Sequence, residues 1–177
     1  ANTTLTFNPG DINKTINIDV TGDTMDENDE TFFVQLSNPS AGVFFSQSSG
    51  TGTILNDDGA PRLSIADVTI SEGSGGSKLA TFTVSLSAAS ASTVQVNYAT
   101  ANDTAVAPAD YTSASNTLTF TPGDTEEIIS ITINSDTMDE NDETFLVTLN
   151  TPVNAIITDG QATGTITDDD AAPSLSI

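Results

Sequence analysis

The 177-residue chain is 36% hydrophobic, enough for an ordinary core, and sets 25 acidic side chains against three basic ones (Lys14, Arg62 and Lys78), for a net charge of −22. It has no cysteine and no histidine, which excludes disulfides, thiolate nucleophiles, histidine triads and metal sites built on Cys or His. The charge opposes nucleic acid and anionic membranes and favours cations. No membrane insertion is expected of the segment, because no apolar run nears the roughly 18 to 20 residues of a bilayer span.

In chain order, LTFNPGD (Leu5–Asp11) comes first, then the acidic decapeptide DTMDENDETF (Asp23–Phe32), Asn38-Pro39 and GTILNDDGAPRLSI (Gly52–Ile65). Each returns later. LTFTPGD spans Leu118–Asp124, and the decapeptide recurs unchanged at Asp136–Phe145, 113 positions on (136 − 23). Thr151-Pro152 follows, and GTITDDDAAPSLSI (Gly164–Ile177) lies 112 positions after its first copy (164 − 52). Such a period suits a whole domain rather than a solenoid unit. The expected organisation is the C-terminal half of one repeat (1–58), a complete repeat (59–170) and the start of another (171–177), a window on a longer tandem array.

Within the complete repeat, apolar and polar residues alternate with the period of half-buried strands. Seven strands are expected: Leu63–Ile70, Leu79–Leu86, Val94–Tyr98, Leu118–Phe120, Ile129–Ile133, Phe145–Leu149 and Ala162–Ile166. Turn formers such as EGSGGS (Glu72–Ser77) and TPGD (Thr121–Asp124) separate them, and no stretch keeps a 3.6-residue apolar period. The fold class is therefore all-β, an immunoglobulin-like antiparallel β-sandwich of about seven strands in tandem repeats. Residues 1–58 supply counterparts of only the last four strands. Either a neighbouring segment or strand complementation by another chain would complete them.

Strand alternation gathers Glu72, the loop with Asn102 and Asp103, the second decapeptide and the triad Asp168-Asp169-Asp170 at one pole. Like charges about 4 Å apart repel by roughly 1 kcal/mol in water and about 4 kcal/mol at an effective dielectric of 20, so the pole calls for a cation. Calcium accepts six to eight oxygens in irregular loops, magnesium demands a stricter octahedron, and zinc and copper lack their usual ligands here. The spacing is not that of an EF-hand, whose sixth position is glycine where this chain has Asn141.

ISEGSGG (Ile70–Gly76), YATANDTAVAPADY (Tyr98–Tyr111), LTFTPGDTEE (Leu118–Glu127), DTMDENDETFLVTL (Asp136–Leu149) and GTITDDD (Gly164–Asp170) stand in order across the complete repeat. On these motifs the chain resembles the Calx-beta family, calcium-binding sandwiches found in exchangers and cell-surface proteins. The resemblance implies calcium ligands at Glu72, Asp136, the Met138 carbonyl, Glu140, Asp168, Asp169 and Asp170, with more than one ion per complete repeat. Two positions depart from the family pattern. Asn102-Asp103 stands where the family has Asp-Gly, so either residue could be the ligand, and Ser135 replaces an acid. Asp139 and Glu143 join the candidates, with turn capping as the alternative for them as for Asp142; Asp110 is read as a residue that orders its own loop. In the half repeat the candidates are Asp23, Met25, Asp26, Glu27, Glu30, Asp57 and Asp58. A weaker site is expected there, since Asn56 replaces the first Asp of the triad.

The linker Ala171-Ala172-Pro173 is short enough to put the ions at a junction between repeats. The expected function is a calcium-binding structural module of an extracellular or cell-surface array, with calcium stiffening the junctions of an adhesive or spacer rod. Its partners would be neighbouring repeats, and cell-surface or matrix ligands at the level of the whole array. Sequons at Asn2, Asn13 and Asn102 fit exposed loops. The alternative is a calcium-sensing regulatory module of a transporter or signalling protein. A carboxylate-pair enzyme is disfavoured because nothing suggests a concave site.

Overall fold

The computed structural model describes residues 3–176; Ala1 and Asn2, with the first sequon, and Ile177, the last residue of the final motif, lie outside the described residues. The described residues contain strands and no helix. The half repeat holds β1 (Glu30–Gln35) and β2 (Ser49–Ile54), and the complete repeat holds β3 (Arg62–Ile65), β4 (Val68–Ser71), β5 (Ser77–Leu86), β6 (Val94–Asn102), β7 (Ser115–Phe120), β8 (Glu126–Asn134), β9 (Glu143–Val153), β10 (Ile156–Asp159) and β11 (Gln161–Thr167).

In the complete repeat a four-stranded sheet, β10-β3-β5-β8, faces a five-stranded sheet, β4-β11-β9-β6-β7. Alternation supplies both inner faces. Phe82, Val84, Ile129, Ile131 and Ile133 point inward from one sheet, and Val94, Val96, Phe120, Phe145 and Val147 from the other, all buried. Phe82 meets Phe145 edge-on, with ring centroids 5.8 Å apart. Gly164 of β11 pairs with Phe145 of β9, and the Phe145 ring occupies the space a Cβ on Gly164 would need. The glycine is thus a slot for the ring.

Two features differ from the sequence expectation. The first expected strand is two strands on different sheets. Leu63 and Ile65 serve one face, and then the alternation slips by one residue, so that Val68 and Ile70 follow. At the crossing, Ala66 N donates to Thr83 O (3.2 Å) and Thr163 N donates to Asp67 Oδ1 (2.7 Å). The second feature is β10, a short edge strand with no clear alternation. The ladders β10/β3 and β11/β4 are parallel, while the others in this repeat are antiparallel.

In the half repeat, β1 and β2 form a two-stranded antiparallel sheet. Leu5–Phe7 and Ile16–Val20, the counterparts of β7 and β8, carry no strand among the described residues. In the complete repeat β7 pairs with β6 and β8 with β5, and the half repeat contains no equivalent of either partner. Among the described residues the two repeats are joined where Asp26 forms a parallel bridge with Ser90 and Ala91 N donates to Asp26 O (3.1 Å).

Candidate metal centre

Four strand ends and one long connection meet at one pole of the complete repeat. β4 delivers Glu72, whose N–H donates to Thr167 O at the end of β11 (3.1 Å). β8 leads into Ser135 and Asp136, β9 begins at Glu143, and β11 runs out into Asp168–Asp170. The β6–β7 connection brings Asp110, held there because neighbouring Tyr111 is buried and stacks on Phe145 with centroids 4.5 Å apart.

The carboxylates fall into two groups. Oxygens of Glu72, Asp136 and Asp170 lie within 4.8 Å of one another, as do those of Asp110, Glu140 and Glu143. Two calcium–oxygen bonds of about 2.3 to 2.6 Å span at most about 5.2 Å, so each group can close on one such ion. Glu72 is only 5% exposed, and its Oε1 and the Oδ2 of Asp170 are buried without a hydrogen-bond partner. Buried carboxylate oxygens ordinarily have partners. These two face a group of like charge, which suits a hard divalent cation.

The electrostatics agree with that reading. Burial first, then the charges of Asp136, Glu140, Asp168 and Asp170, push the Glu72 carboxyl up to about 7. Burial and then the Asp110 carboxyl, with Glu140 and Glu72 behind it, push Glu143 up to about 7. Glu140 is also raised, by partial desolvation and then by Asp136, Asp110 and Asp168. All three shifts run in the direction that relieves like-charge repulsion at the pole.

The other candidates stand outside these two groups. Asp168 lines the same recess as Glu72, Glu140 and Glu143. Both oxygens of Asp169 are engaged, one accepting from Ser71 Oγ (2.6 Å) and the other from Gly73 N (3.1 Å), so Asp169 ties the end of β4 to the triad. Met138 N donates to Asp136 Oδ1 (2.7 Å), an Asx turn that presents the decapeptide. Asp139 is exposed. Asn102 Oδ1 accepts from Tyr111 Oη (2.7 Å) and Ala107 N (3.0 Å), and Asp103 Oδ2 accepts from Thr144 Oγ1 (2.7 Å). Both therefore brace the β6–β7 connection. Ser135, in place of an acid, donates its hydroxyl to the Glu72 carbonyl.

Sequence reasoning passed over Asp110, reading it as a residue that orders its own loop. It does accept from Val106 N, yet it also joins Glu140 and Glu143. The available signal was the Asp-Tyr pair, since a buried tyrosine fixes where its neighbour emerges.

In the half repeat, Asp23 Oδ1 accepts from Met25 N (2.8 Å), repeating the Asp136 turn. Glu30 opens β1, and Asp57 is exposed. Asp26, Glu27 and Asp58 gather around Asn56. Among the described residues these acids form no group comparable with the two above.

A model of the Calx-beta domain matches residues 1–59 and again 55–170. The chain belongs to the Calx-beta family. It is 34% identical over 151 residues to the sodium/calcium exchanger Calx of Drosophila melanogaster, covering 84% of this chain and 16% of the exchanger. It is 33% identical over 143 residues to the adhesion G-protein coupled receptor V1 of Danio rerio, covering 77% of this chain and 2% of the receptor. The chain thus spans a small fraction of the relatives it matches. Among solved structures, the calcium binding domain CBD12 of CALX1.1 aligns with a TM-score of 0.56 at 27% identity, over 63% of this chain and 48% of that one. The apo form of the Calx CBD1 domain aligns with a TM-score of 0.53 at 26% identity, over 62% of this chain and 98% of that one. Calx-beta domains bind calcium, and the two acidic groups at the pole are where this chain could hold it.

Proposed function

We propose that the complete repeat binds calcium at two adjoining positions, one held by Glu72, Asp136 and Asp170 and the other by Asp110, Glu140 and Glu143. Asp168, which lines one recess with Glu72, Glu140 and Glu143, and the Met138 carbonyl complete the set. The observation that carries this reading is the buried, unpartnered Glu72 Oε1 beside the equally orphaned Asp170 Oδ2. Of the chain's basic residues, Lys78 reaches the rim of the pole, where it donates to Ser71 O (2.9 Å), and calcium supplies the further positive charge that the two carboxylate groups call for.

The bound ions neutralise the pole and order its loops. Because Asp170 is followed at once by the short Ala171-Ala172-Pro173 linker, they also fix the angle to the next repeat. The partners are neighbouring repeats, and the array is a stiff spacer or adhesive rod at the cell surface. Extracellular calcium modules work at about 10⁻⁴ to 10⁻³ M, and at ten times the dissociation constant each site adds about 1.4 kcal/mol to stability. Calorimetric titration with calcium, paired with melting and small-angle scattering in EDTA, tests the reading. A chain that releases no heat with calcium and keeps its melting temperature in EDTA overturns it.

The likeness to an exchanger supports a second reading, a regulatory calcium sensor. A sensor works at about 10⁻⁷ to 10⁻⁵ M, so the titrated affinity separates the two.

A further inference from the structure

Asn56 occupies the position that Asp168 holds in the complete repeat, 112 residues on (168 − 56). Part of the hydrogen-bond pattern is the same in both. Asn56 N donates to Asp29 Oδ1 (2.9 Å) and Asp58 N to Asn56 Oδ1 (3.4 Å), just as Asp168 N donates to Asp142 Oδ1 (3.2 Å) and Asp170 N to Asp168 Oδ1 (3.4 Å).

The amide then does what a carboxylate cannot. Asn56 Nδ2 donates to Asp26 Oδ1 (3.2 Å) and to the Asp58 carbonyl (3.0 Å), while Asn56 Oδ1 also accepts from Glu27 N (3.3 Å). One side chain thereby ties the decapeptide loop to the end of β2. The Asp168 side chain has no N–H to offer. Asp139, the counterpart of Asp26, is exposed and makes no side-chain hydrogen bond among the described residues.

The tie matters because of where Asp26 sits. Its carbonyl accepts from Ala91 N (3.1 Å) across the boundary between repeats. Its bridge partner Ser90 is 2% exposed and is itself fixed: its carbonyl accepts from Gly123 N (3.0 Å) and its hydroxyl from Ser92 N (3.1 Å). The junction is therefore a main-chain bridge between two braced loops, and the brace on the half-repeat side is Asn56.

We infer that the Asn56 amide takes the place of a cation at this pole and keeps the docking of the half repeat onto the β5–β6 connection independent of calcium. The chain then contains two kinds of junction: one, between residues 58 and 59, locked by hydrogen bonds, and another, after residue 170, left to the acidic pole. The donor set agrees. The amide already spends its oxygen and its N–H groups on Asp26, Glu27 and Asp58, and among the described residues the acids around it form no cation-sized group. The inference goes beyond calcium binding by the complete repeat and does not rest on it.

The chain has no cysteine, so Thr51→Cys on β2 and Thr81→Cys on β5 place spin labels on outward-facing positions of the two repeats, away from both poles. Electron–electron distance measurement on the full chain is expected to give one narrow distribution, the same in calcium and in EDTA. With Asn56→Asp added, which restores the triad and removes the N–H donors, the distribution in EDTA is expected to broaden at least twofold. Asn56→Ala, which removes the amide without adding charge, gives the same broadening and covers the case in which the aspartate variant unfolds. A wild-type distribution that broadens in EDTA overturns the inference, as does an Asn56→Ala distribution as narrow as the wild type. A chain that shows no calcium heat at all overturns the functional reading above while leaving this one standing.

Discussion

Ile16, Ile18 and Val20 stand at the positions of Ile129, Ile131 and Ile133 in the neighbouring repeat. The second set is at most 1% exposed, whereas the first is exposed by 42%, 50% and 54%. Phe7 and Phe120 differ in the same way, 53% against 1%. The side chains match closely, so the difference lies in what faces them. β8 has β5 beside it and the opposing sheet above it, and Ile16–Val20 has neither. Alternation fits a segment for a strand, but a ladder and a second face are what bury it.

The largest test of that comparison is to supply the missing strands. A chain carrying a copy of residues 60–113 ahead of Ala1 is expected to turn the half repeat into a complete one. Amide hydrogen exchange at residues 16–20 should slow by about a thousandfold or more, to the level of β8. Unchanged exchange would mean that Ile16–Val20 is not a latent β8.

The next test sharpens the contrast between the poles. Glu72→Gln removes a buried charge, so calcium affinity should fall at least tenfold by calorimetry while the calcium-free chain melts higher. Asp23→Asn, at the half-repeat pole, should change neither by a measurable amount.

The pH dependence follows from Glu72 and Glu143, both raised from 4.5 to about 7. A raised folded-state value means that the folded state holds protons the unfolded state has released. Their stabilisation is full below about pH 4.5 and lost as the pH climbs through about 7. Without calcium the complete repeat should therefore melt lower at pH 8 than at pH 5. With saturating calcium the order should reverse, because the ion binds the ionised carboxylates. Glu72→Gln should flatten part of the calcium-free slope.

The smallest expected effect concerns the two glycines. Gly164→Ala collides with Phe145 in a packed core and should cost about 1 to 3 kcal/mol by denaturant melting. Gly52→Ala meets Phe32 in the same register, but β1 and β2 lack a second sheet above them, so the ring can give way and the cost should be well below that.

Much of the complete repeat was legible in the residues. Alternation located β5, β6, β7, β8, β9 and β11, because each has one face in the core. It joined β3 to β4 because the one-residue slip between Ile65 and Val68 is a small signal, and the sheet crossing it marks is a tertiary event. It missed β10, which is short and joins the sheet only through a parallel ladder with β3. At the site, the decapeptide and the Asp triad announced themselves by charge density. Asp110 did not, because it sits alone in a loop and reaches the pole through the stacking of Tyr111 on Phe145. Nor did sequence separate Asp170, whose Oδ2 is buried and orphaned, from Asp169, whose oxygens are spent on Ser71 and Gly73.

The two proline-glycine turns mark the boundary between these levels. In NPGD and TPGD the glycine φ is 95° and 94°, and in each copy the aspartate N–H donates to the carbonyl three residues back at 3.0 Å. The turn forms whether or not strands flank it, since its hydrogen bond and its positive φ lie within four residues. Repeat period, strand periodicity, turn chemistry and excess negative charge are local or additive properties of this chain, and its sequence determines them alone. Which strands pair, which isoleucines are buried and which carboxylates come together depend on segments 30 to 100 residues apart meeting in space, and only the tertiary structure decides them.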